Sequence, residues 1–418
     1  MCEHRENSNH FSYYTLDNNI KTELLSSLWR DTFGDDEWYI NLIFKNIYSH
    51  SISPLLIKND ESEKPLKGIA GMVGIDYYLG SRSNETKGAY LCGVATRPEF
   101  RGKGIMGNMI REELTDLTEK DYSFSFLIPA DKGLRTYYSR FGFRSMGNKF
   151  NVVINGDEDK ELIGELSRET NKNCDKNSLF IALSGDTDGK IKLHIKGGEK
   201  LHLTEIISAG MKEQIFQYHN KESDIISCMC TPNQYAEVVN IYSDFINNYE
   251  ENYKGIIIRH SQIQRQIAIL EWLNSGGEIR FYPEEKVLIF LKAEDETIET
   301  SSSTHSKFSE LSGLILSDHA DAVVRTVGDI VCEYDSKRYT FRIPPRLSFQ
   351  FPDSLIEEEE YAMFNFFGEN ENLKFTKEVS GNFKYSILVN DEKIRIEEGR
   401  NGNSEKDRGE PFIFLMMD

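Results

Sequence analysis

The most informative part of this sequence is YLCGVATRPEFRGKGIM, residues 90–106. An apolar run leads into a turn rich in arginine and glycine, and an amphipathic helix follows directly. The free backbone N–H groups at a helix start, together with the helix dipole, form a site for an anion. Gly102 and Gly104 allow a phosphate to approach the backbone closely, and Arg101 and Lys103 add positive charge. The run therefore predicts a pyrophosphate-binding turn, and the alternative is an ordinary basic turn between a strand and a helix.

The segments around this turn predict a mixed α/β domain. Apolar residues recur after it at spacings of three and four, which predicts a helix with one apolar face. That face comprises Met106, Met109, Ile110, Leu114 and Leu117, and the opposite, polar face comprises Glu112, Glu113, Asp116 and Glu119. Short apolar runs before the turn are typical of antiparallel strands. Residues 123–128, 132–140 and 141–154 predict a strand, a helix and a further strand region, which gives an α/β order.

The rest of the chain divides into two further regions. Its length of 418 residues favours two to four domains. Residues 151–300 repeat the α/β character of the first region but contain no second R-x-x-G-x-G turn. An acidic stretch rich in serine and threonine, residues 294–306, predicts a boundary near residue 300. Beyond it we expect strands and helices, including a helix over 355–367 with the acidic run 357–360 at its solvated start.

The run V-x-x-x-P-x-x-R-G-x-G, between a strand and a helix, resembles motif A of the Gcn5-related N-acetyltransferases (GNAT). The resemblance implies that the pyrophosphate of acetyl-CoA lies on the backbone amides of Arg101 to Met106. It also implies that the strand ending near Thr96 splays from its neighbour, so that backbone N–H groups reach the pantetheine and the thioester. Val94 would then polarise the thioester carbonyl. The cofactor-binding residues implied are Val94, Ala95, Thr96, Arg101, Gly102, Lys103, Gly104, Ile105 and Met106.

A second motif, YYSRFGF at residues 137–143, resembles the Y-x-R-F-G-[FY] segment of the enhanced intracellular survival (Eis) group of GNAT enzymes. That group also carries a large apolar residue at the position of Met106, where the usual motif has Gly or Ala. The resemblance implies that Tyr138 is a general acid, since a tyrosine hydroxyl can protonate the leaving CoA thiolate. The alternative is a core aromatic residue whose hydroxyl is hydrogen-bonded. Tyr137 is expected to be structural.

Eis-like proteins consist of two tandem GNAT-type domains followed by a sterol-carrier-protein-like domain. The resemblance therefore implies a catalytic domain at 1–150, a second GNAT-like domain without a cofactor motif at 151–300, and a sterol-carrier-like domain at 301–418. In that group the C-terminal carboxylate reaches the active site of the first domain, which implies a catalytic role for Asp418. The alternative is that the apolar run 412–417 is the last strand of the C-terminal domain, with Asp418 at its exposed end.

Composition and charge favour a cytoplasmic protein. The chain has 49 Lys and Arg against 68 Asp and Glu, a formal net charge of −19, which argues against nucleic acid or an anionic membrane as partner. The charge suits a cationic small molecule, and plain solubility explains it equally. No apolar run reaches the roughly 18 residues of a membrane span, and no apolar segment near Met1 indicates a secretory signal. A homo-oligomer is compatible with these features.

Cysteine and histidine patterns predict neither a disulfide framework nor a metal site. Six cysteines in a chain of this length are too few for such a framework. Cys228 and Cys230 form a C-x-C pair, but no second pair or histidine stands at ligand spacing. Cys92, in the strand before the turn, is expected to be a packing residue because direct acyl transfer needs no nucleophilic thiol.

The two motifs together predict an acetyl-CoA-dependent N-acetyltransferase that transfers the acetyl group directly to a primary amine of a small or peptidic acceptor. One alternative is a non-catalytic acyl-CoA-binding or regulatory protein. Another is a transferase specific for a different acyl chain, because Met106 could reshape the cofactor end of the site. Five residues near the N-terminus either line an acceptor pocket, as is common in GNAT domains, or form core and helix caps. They are Trp29, Phe33, Asp35, Asp36 and Trp38.

Overall fold

The computed structural model describes residues 6–7, 11–12, 16–58, 66–79, 86–146, 148–170, 180–185, 190–196, 225–253, 257–295, 308–367, 373–376, 383–389 and 392–397. The described helices are α1 (Asn18–Phe33), α2 (Glu37–Asn46), α3 (Ile105–Glu119), α4 (Lys132–Ser139), α5 (Gly156–Thr170), α6 (Pro232–Asn252), α7 (Gln262–Asn274) and α8 (Ala320–Glu333). The described strands are β1 (Glu6–Asn7), β2 (Phe11–Ser12), β3 (Leu55–Lys58), β4 (Gly68–Leu79), β5 (Thr86–Thr96), β6 (Phe124–Leu127), β7 (Arg144–Ser145), β8 (Asn148–Asn155), β9 (Phe180–Gly185), β10 (Ile191–Lys196), β11 (Ile225–Met229), β12 (Ile258–Arg259), β13 (Glu278–Tyr282), β14 (Val287–Asp295), β15 (Phe308–Leu316), β16 (Ser336–Ile343), β17 (Ile356–Glu360), β18 (Met363–Phe366), β19 (Leu373–Thr376), β20 (Phe383–Val389) and β21 (Glu392–Glu397).

The chain forms two compact units, and each draws on separate stretches of sequence. The first unit contains the described residues of 6–146, 257–263 and 360–397. The second contains those of 148–253 and 264–359. Both units combine helices with mixed sheets, so the predicted α/β fold class is confirmed.

The first unit is built on a sheet with the described strand order β1-β2-β3-β4-β5-β6-β18-β7, and β12 pairs with β4 beside it. The strands pair antiparallel except β5 and β6, which are parallel and are joined by helix α3. A parallel pair needs such a crossover because the chain must return to the starting end of the sheet before the second strand begins. A tight turn joins only antiparallel strands. Apolar residues of α3 pack onto this sheet, among them Met109, Ile110 and Leu117, each at most 2% exposed.

Strand β18 lies between β6 and β7, although it is more than 200 residues later in the chain. It pairs antiparallel with both, for example Phe364 with Phe126 of β6 and with Arg144 of β7. The rings of Phe364 and Phe126 stack with centroids 5.3 Å apart, and both side chains are buried. Aromatic cross-strand pairs of this kind stabilise sheets.

The second unit is built on a sheet with the described order β11-β10-β9-β13-β14-β15-β16-β8-β17. Its strands β15 and β16 are parallel and are joined by α8, which repeats the β5–α3–β6 arrangement of the first unit. Strand β8 lies between β16 and β17, as β18 does between β6 and β7. Among the described residues, each of these two sheets therefore takes in at least one strand from a distant part of the sequence.

The strand pairing differs from the expected boundary near residue 300. Strands β14 and β15 stand on either side of that position and pair along most of their length in one sheet. The described part of 308–359 belongs to the second unit. Hydrogen bonding along a full-length strand pair outweighs the local composition from which that boundary was inferred. The identity of residues 301–418 as a sterol-carrier-like domain stays a prediction.

The helix expected over 355–367 is wrong. The structure has the strands β17 and β18 there, with the acidic run 357–360 exposed on β17 rather than at a helix start. The acidic side chains form ion pairs with neighbouring elements, as between Lys149 Nζ and Glu359 Oε2, which are 2.8 Å apart. Among the described residues, no helix is both long enough and apolar enough to cross a membrane.

Glu113 does not lie on a solvent-facing side of α3 as expected, because it is buried and only 4% exposed. It stands four residues from Met109 and from Leu117, which are both buried on the same helix. Burial raises the pKa of the Glu113 carboxyl to about 7, and the charges of Lys120 and Lys21 partly offset this effect. The position of Glu113 on the helix face, and not its charge, therefore decides that its side chain is buried.

Candidate functional site

The two parallel strands of the first unit part early. Strand β5 pairs with β6 over Gly88 to Tyr90, opposite Phe124 to Phe126. Strand β6 ends at Leu127, whereas β5 continues to Thr96. The last part of β5, from Leu91 onward, therefore has no register partner in β6. No other described strand pairs with that side of β5.

A bulge in β5 lies within this unpaired part. The register with β4 passes from Cys92 opposite Val73 to Ala95 opposite Gly71, so that Gly93 and Val94 together face one residue of β4. Gly93 has a φ of 54°, a left-handed conformation that glycine adopts without a steric penalty. Neither Gly93 nor Val94 has a register partner in β4 or β6. The role of the Val94 backbone beside a thioester stays a prediction.

Trp29 of α1 packs directly against this bulge. A Cβ atom on Gly93 would lie 2.4 Å from Cζ3 of the Trp29 ring, so only glycine fits beside it. The indole Nε1 donates a hydrogen bond to Oδ2 of Asp35 at 2.5 Å, in the loop after α1. Trp29 is 8% exposed, whereas Phe33 and Trp38 are 46% and 37% exposed. Of the five residues considered for either an acceptor pocket or core and caps, Trp29 is a core residue that supports the bulge, and the other four are exposed.

The turn between β5 and α3 presents its backbone to solvent. Gly102 and Gly104 have φ values of 75° and 76°, and added Cβ atoms would meet nothing within 4 Å. Gly104 is the N-cap of α3 and makes no side-chain capping bond, so the first N–H groups of the helix stay available. The first turn of α3 contains no acidic residue. These features fit an anion at the helix start.

The two cations of the turn are held by their neighbours. Arg101 Nε donates to the carbonyl oxygen of Thr96 at 2.9 Å, which ties the turn to the end of β5. The Nζ atom of Lys103 lies 5.0 Å from the centroid of the Phe100 ring. Both side chains are exposed and lie beside the glycines. Positive charge is therefore placed at the turn in an otherwise acidic protein.

Tyr138 lies in α4, whose N-terminus is capped by Asp131 accepting a hydrogen bond from the Leu134 backbone N–H at 2.8 Å. Its ring is 7% exposed, yet none of the described residues hydrogen-bonds to its hydroxyl. The buried Tyr242 of the second unit differs, because its hydroxyl donates to two carbonyl oxygens at 2.9 and 3.0 Å. Within the described part of the chain, the Tyr138 hydroxyl is therefore free to donate to a ligand.

Burial disfavours the charged form of Tyr138. It raises the pKa of the hydroxyl to about 12, and the neighbouring Tyr137 and Asp131 add to the effect. The phenol is therefore protonated throughout the physiological range. The same cause raises the pKa of the Cys92 thiol to about 12, which fits a packing role for that cysteine.

The structure brings four of the eleven expected site residues to one core. Tyr138 belongs to the buried cluster of the first unit, and Val94, Ile105 and Met106 pack against that cluster as half-buried residues. Asp418 lies outside the described residues. The sequence analysis did not single out Gly93, and it did not connect Trp29 with the bulge. A glycine inside a strand pattern is the available signal for a bulge, but its packing partner cannot be read from the sequence.

Residues 21–146 match the acetyltransferase (GNAT) domain family, so this part of the chain is a GNAT acetyltransferase domain. The chain is also similar in fold to a GCN5-related N-acetyltransferase from Anabaena variabilis, at 13% identity and a TM-score of 0.53, over 93% of this chain and 86% of that one. It is similar to Eis1 from Mycobacterium abscessus at 11% identity and a TM-score of 0.53, over 93% and 85% of the two chains. A GCN5-related N-acetyltransferase from Kribbella flavida gives 11% identity and a TM-score of 0.50, over 95% and 86%. No curated protein matches the chain.

The glycine turn generates a test of anion binding. Gly104→Val should abolish acetyl-CoA binding in titration calorimetry, because a branched side chain occupies the space in front of the helix start and strains a backbone at φ 76°. Gly276→Val is the matched control, since Gly276 has a φ of 80° and equally open surroundings but lies in the second unit. Unchanged affinity in the Gly104 variant would contradict the assignment of the turn.

Proposed function

We propose that this protein is an acetyl-CoA-dependent N-acetyltransferase that acetylates a primary amine by direct transfer. The observation that carries the proposal is the parting of β5 and β6 beside a glycine turn, with Tyr138 in the same core. The GNAT domain over 21–146 contains all of these features. Acyl transfer is thus supported by the family, and the acetyl group and the amine acceptor are our inference from this geometry.

The residues of the turn and of β5 fit acetyl-CoA. Backbone N–H groups of Arg101 to Met106 would hold the pyrophosphate, because the helix start is uncapped by any side chain and free of carboxylates. The backbone of Val94, Ala95 and Thr96, which has no register partner in β6, would run along the pantetheine. When bound, acetyl-CoA supplies the acetyl group as a reactive thioester. The half-buried Met106 and Val94 would shape the apolar wall around its acyl end.

Two groups of this chain would act on the reacting atoms. The Val94 N–H, in the part of β5 that has no register partner in β6, would stabilise the negative charge that develops on the thioester oxygen. The Tyr138 hydroxyl would donate its proton to the leaving thiolate. Its raised pKa keeps that proton in place until transfer, and no hydrogen bond to a described residue has to be broken first.

The acceptor we propose is a cationic amine that loses its proton before attack. The net charge of −19 favours the approach of cations. Asp35 and Asp36 add exposed carboxylates in the loop after α1, and Asp35 accepts a hydrogen bond from Trp29, which packs against the bulge. The amine could belong to a small molecule or to a peptide. The same composition and the few cysteines lead us to place the enzyme in the cytoplasm.

A general base is needed to take the proton of the acceptor, and we propose the C-terminal residue Asp418 for it. A carboxylate moved from water into an apolar site acquires a higher pKa and becomes a competent base near neutral pH. Asp418 carries a side-chain and a main-chain carboxylate, and either would serve. This assignment rests on the resemblance to the Eis group, as does the proposal of a second GNAT-like and a sterol-carrier-like domain.

The role of Tyr138 predicts a specific kinetic change. Tyr138→Phe keeps the ring and removes the proton donor, so kcat should fall roughly a hundredfold while acetyl-CoA affinity stays nearly unchanged. Because the pKa is raised to about 12, ionisation of Tyr138 should not lower the kcat of the wild-type enzyme below about pH 10. Thiol release with an amine acceptor measures both. Tyr137→Phe is the matched control on the same helix, and wild-type kcat in Tyr138→Phe would show that the acid is another group.

The role of Asp418 predicts sensitivity at the C-terminus. Deleting Asp418, or extending the chain beyond it by a short polar tag, should lower kcat at least tenfold, since removal of a general base commonly costs more than that. Acetyl-CoA binding should persist, because the turn at Arg101–Met106 is untouched. If turnover survives both changes, the base lies elsewhere in the chain.

A further inference from the structure

The helix that carries Tyr138 is held by a segment more than 200 residues later in the sequence. Arg135 of α4 donates through Nη2 to the carbonyl oxygen of Tyr361 at 3.1 Å and to that of Glu360. Its Nη1 atom also lies 3.8 Å from Oε2 of Glu360. Arg135 is three residues before Tyr138, so these contacts fix the helix one turn ahead of the tyrosine.

The end of the same helix is fixed by Asn365. Its Nδ2 atom donates to the carbonyl oxygen of Phe141 at 2.8 Å. Phe141 lies two residues after the end of α4, and its N–H donates to the carbonyl oxygen of Tyr138 at 3.0 Å. A Cβ atom on Gly142 would lie 3.2 Å from the Asn365 amide, so the asparagine fills the space beside this turn. The segment thus contacts α4 before and after Tyr138.

The segment itself is firmly placed in the sheet of the first unit. Strand β18 pairs with β6 on one side and with β7 on the other. The backbone bonds continue beyond the strand, from Met146 N to the oxygen of Ala362 at 2.9 Å and from Phe367 N to the oxygen of Ser123 at 2.8 Å. Asn365 and Arg135 therefore connect α4 to a fixed support.

Helix α4 needs such a support because it has only eight residues. Isolated helices of this length are unstable in water, since too few hydrogen bonds offset the cost of nucleation. Its orientation must then come from contacts outside the helix. A proton donor requires that orientation, because a displacement of about 1 Å can cost on the order of a hundredfold in rate.

We propose that Asn365 and Arg135 are positioning residues for the Tyr138 hydroxyl, so that the segment Glu360–Phe366 completes the site of the GNAT domain. This inference rests on the proposed function, in which Tyr138 donates the proton. Asn365 acts through the Phe141 carbonyl and Arg135 through the Glu360 and Tyr361 carbonyls, and neither touches the reacting atoms. The segment Glu360–Phe366 would therefore belong to the catalytic unit, although it lies outside residues 21–146, which match the GNAT domain family.

A double-mutant cycle in the full-length chain tests the inference. Asn365→Ala should lower kcat about tenfold, with the KM for acetyl-CoA within about twofold of wild type, since the anion-binding turn is intact. In the Tyr138→Phe background the same substitution should change kcat less than twofold, because the donor it positions is already gone. Arg135→Ala should behave alike, and Arg135→Lys should recover part of the loss by keeping a donor to the two carbonyls.

Ser145→Ala is the matched control. Ser145 lies on β7 beside β18 and bonds to Oε2 of Glu360 at 3.3 Å without contacting α4, so its loss should leave kcat unchanged. Thermal unfolding checks that each variant is folded, and Arg135→Ala tests the contact from the helix side if Asn365→Ala does not fold. Wild-type kcat in both variants, or an equal loss with and without Tyr138, would overturn the inference. No turnover by the wild-type enzyme, or wild-type kcat in Tyr138→Phe, would instead refute the proposed function on which it rests.

Discussion

The candidate site depends on the short pairing of β5 with β6. Three residues of β5 pair with β6. The rest of the strand has no partner in β6 and pairs only with β4, on the other side. A strand paired on both sides would offer no backbone groups to a ligand. The bulge at Gly93 and Val94 adds to this effect by removing two residues from the register with β4 as well. The rest of the site, from the glycine turn to Tyr138, is arranged around this opening.

The opening is maintained by contacts on both of its sides. Trp29 packs against Gly93 on the β5 side, and Asp35 holds the indole through its N–H. On the β6 side, β18 occupies the position next to β6, and Asn365 reaches from it to the turn after α4. Both supports come from outside the motif that we propose binds the cofactor. In this proposal the motif contacts the cofactor, and residues far from it in the sequence hold it in position.

The local features of the site could be predicted from the sequence. Glycines flanking a basic residue before an apolar helical period predict an exposed helix start, and Gly102 and Gly104 do adopt left-handed conformations there. Glu113 was misplaced because its charge was given more weight than its spacing of four from Met109 and Leu117. The spacing was the better guide, because a helix face is set by position rather than by residue type.

The long-range features could not be predicted in this way. Strand β18 was expected to be part of a helix over 355–367. Its strand conformation follows from pairing with β6 and β7, which the local sequence does not contain. The boundary near residue 300 failed to match the sheet for the same reason, because β14 and β15 pair across it.

Hydrogen–deuterium exchange of the full-length chain, with and without saturating acetyl-CoA, tests most directly that this opening is the cofactor site. The account predicts slower exchange in peptides covering Leu91–Thr96 and Arg101–Gly107. It predicts no change in β15, α8 and β16, which share the crossover topology but lack a glycine turn of this kind. Unchanged exchange at both of the first two segments, or protection confined to the second unit, would contradict the central claim.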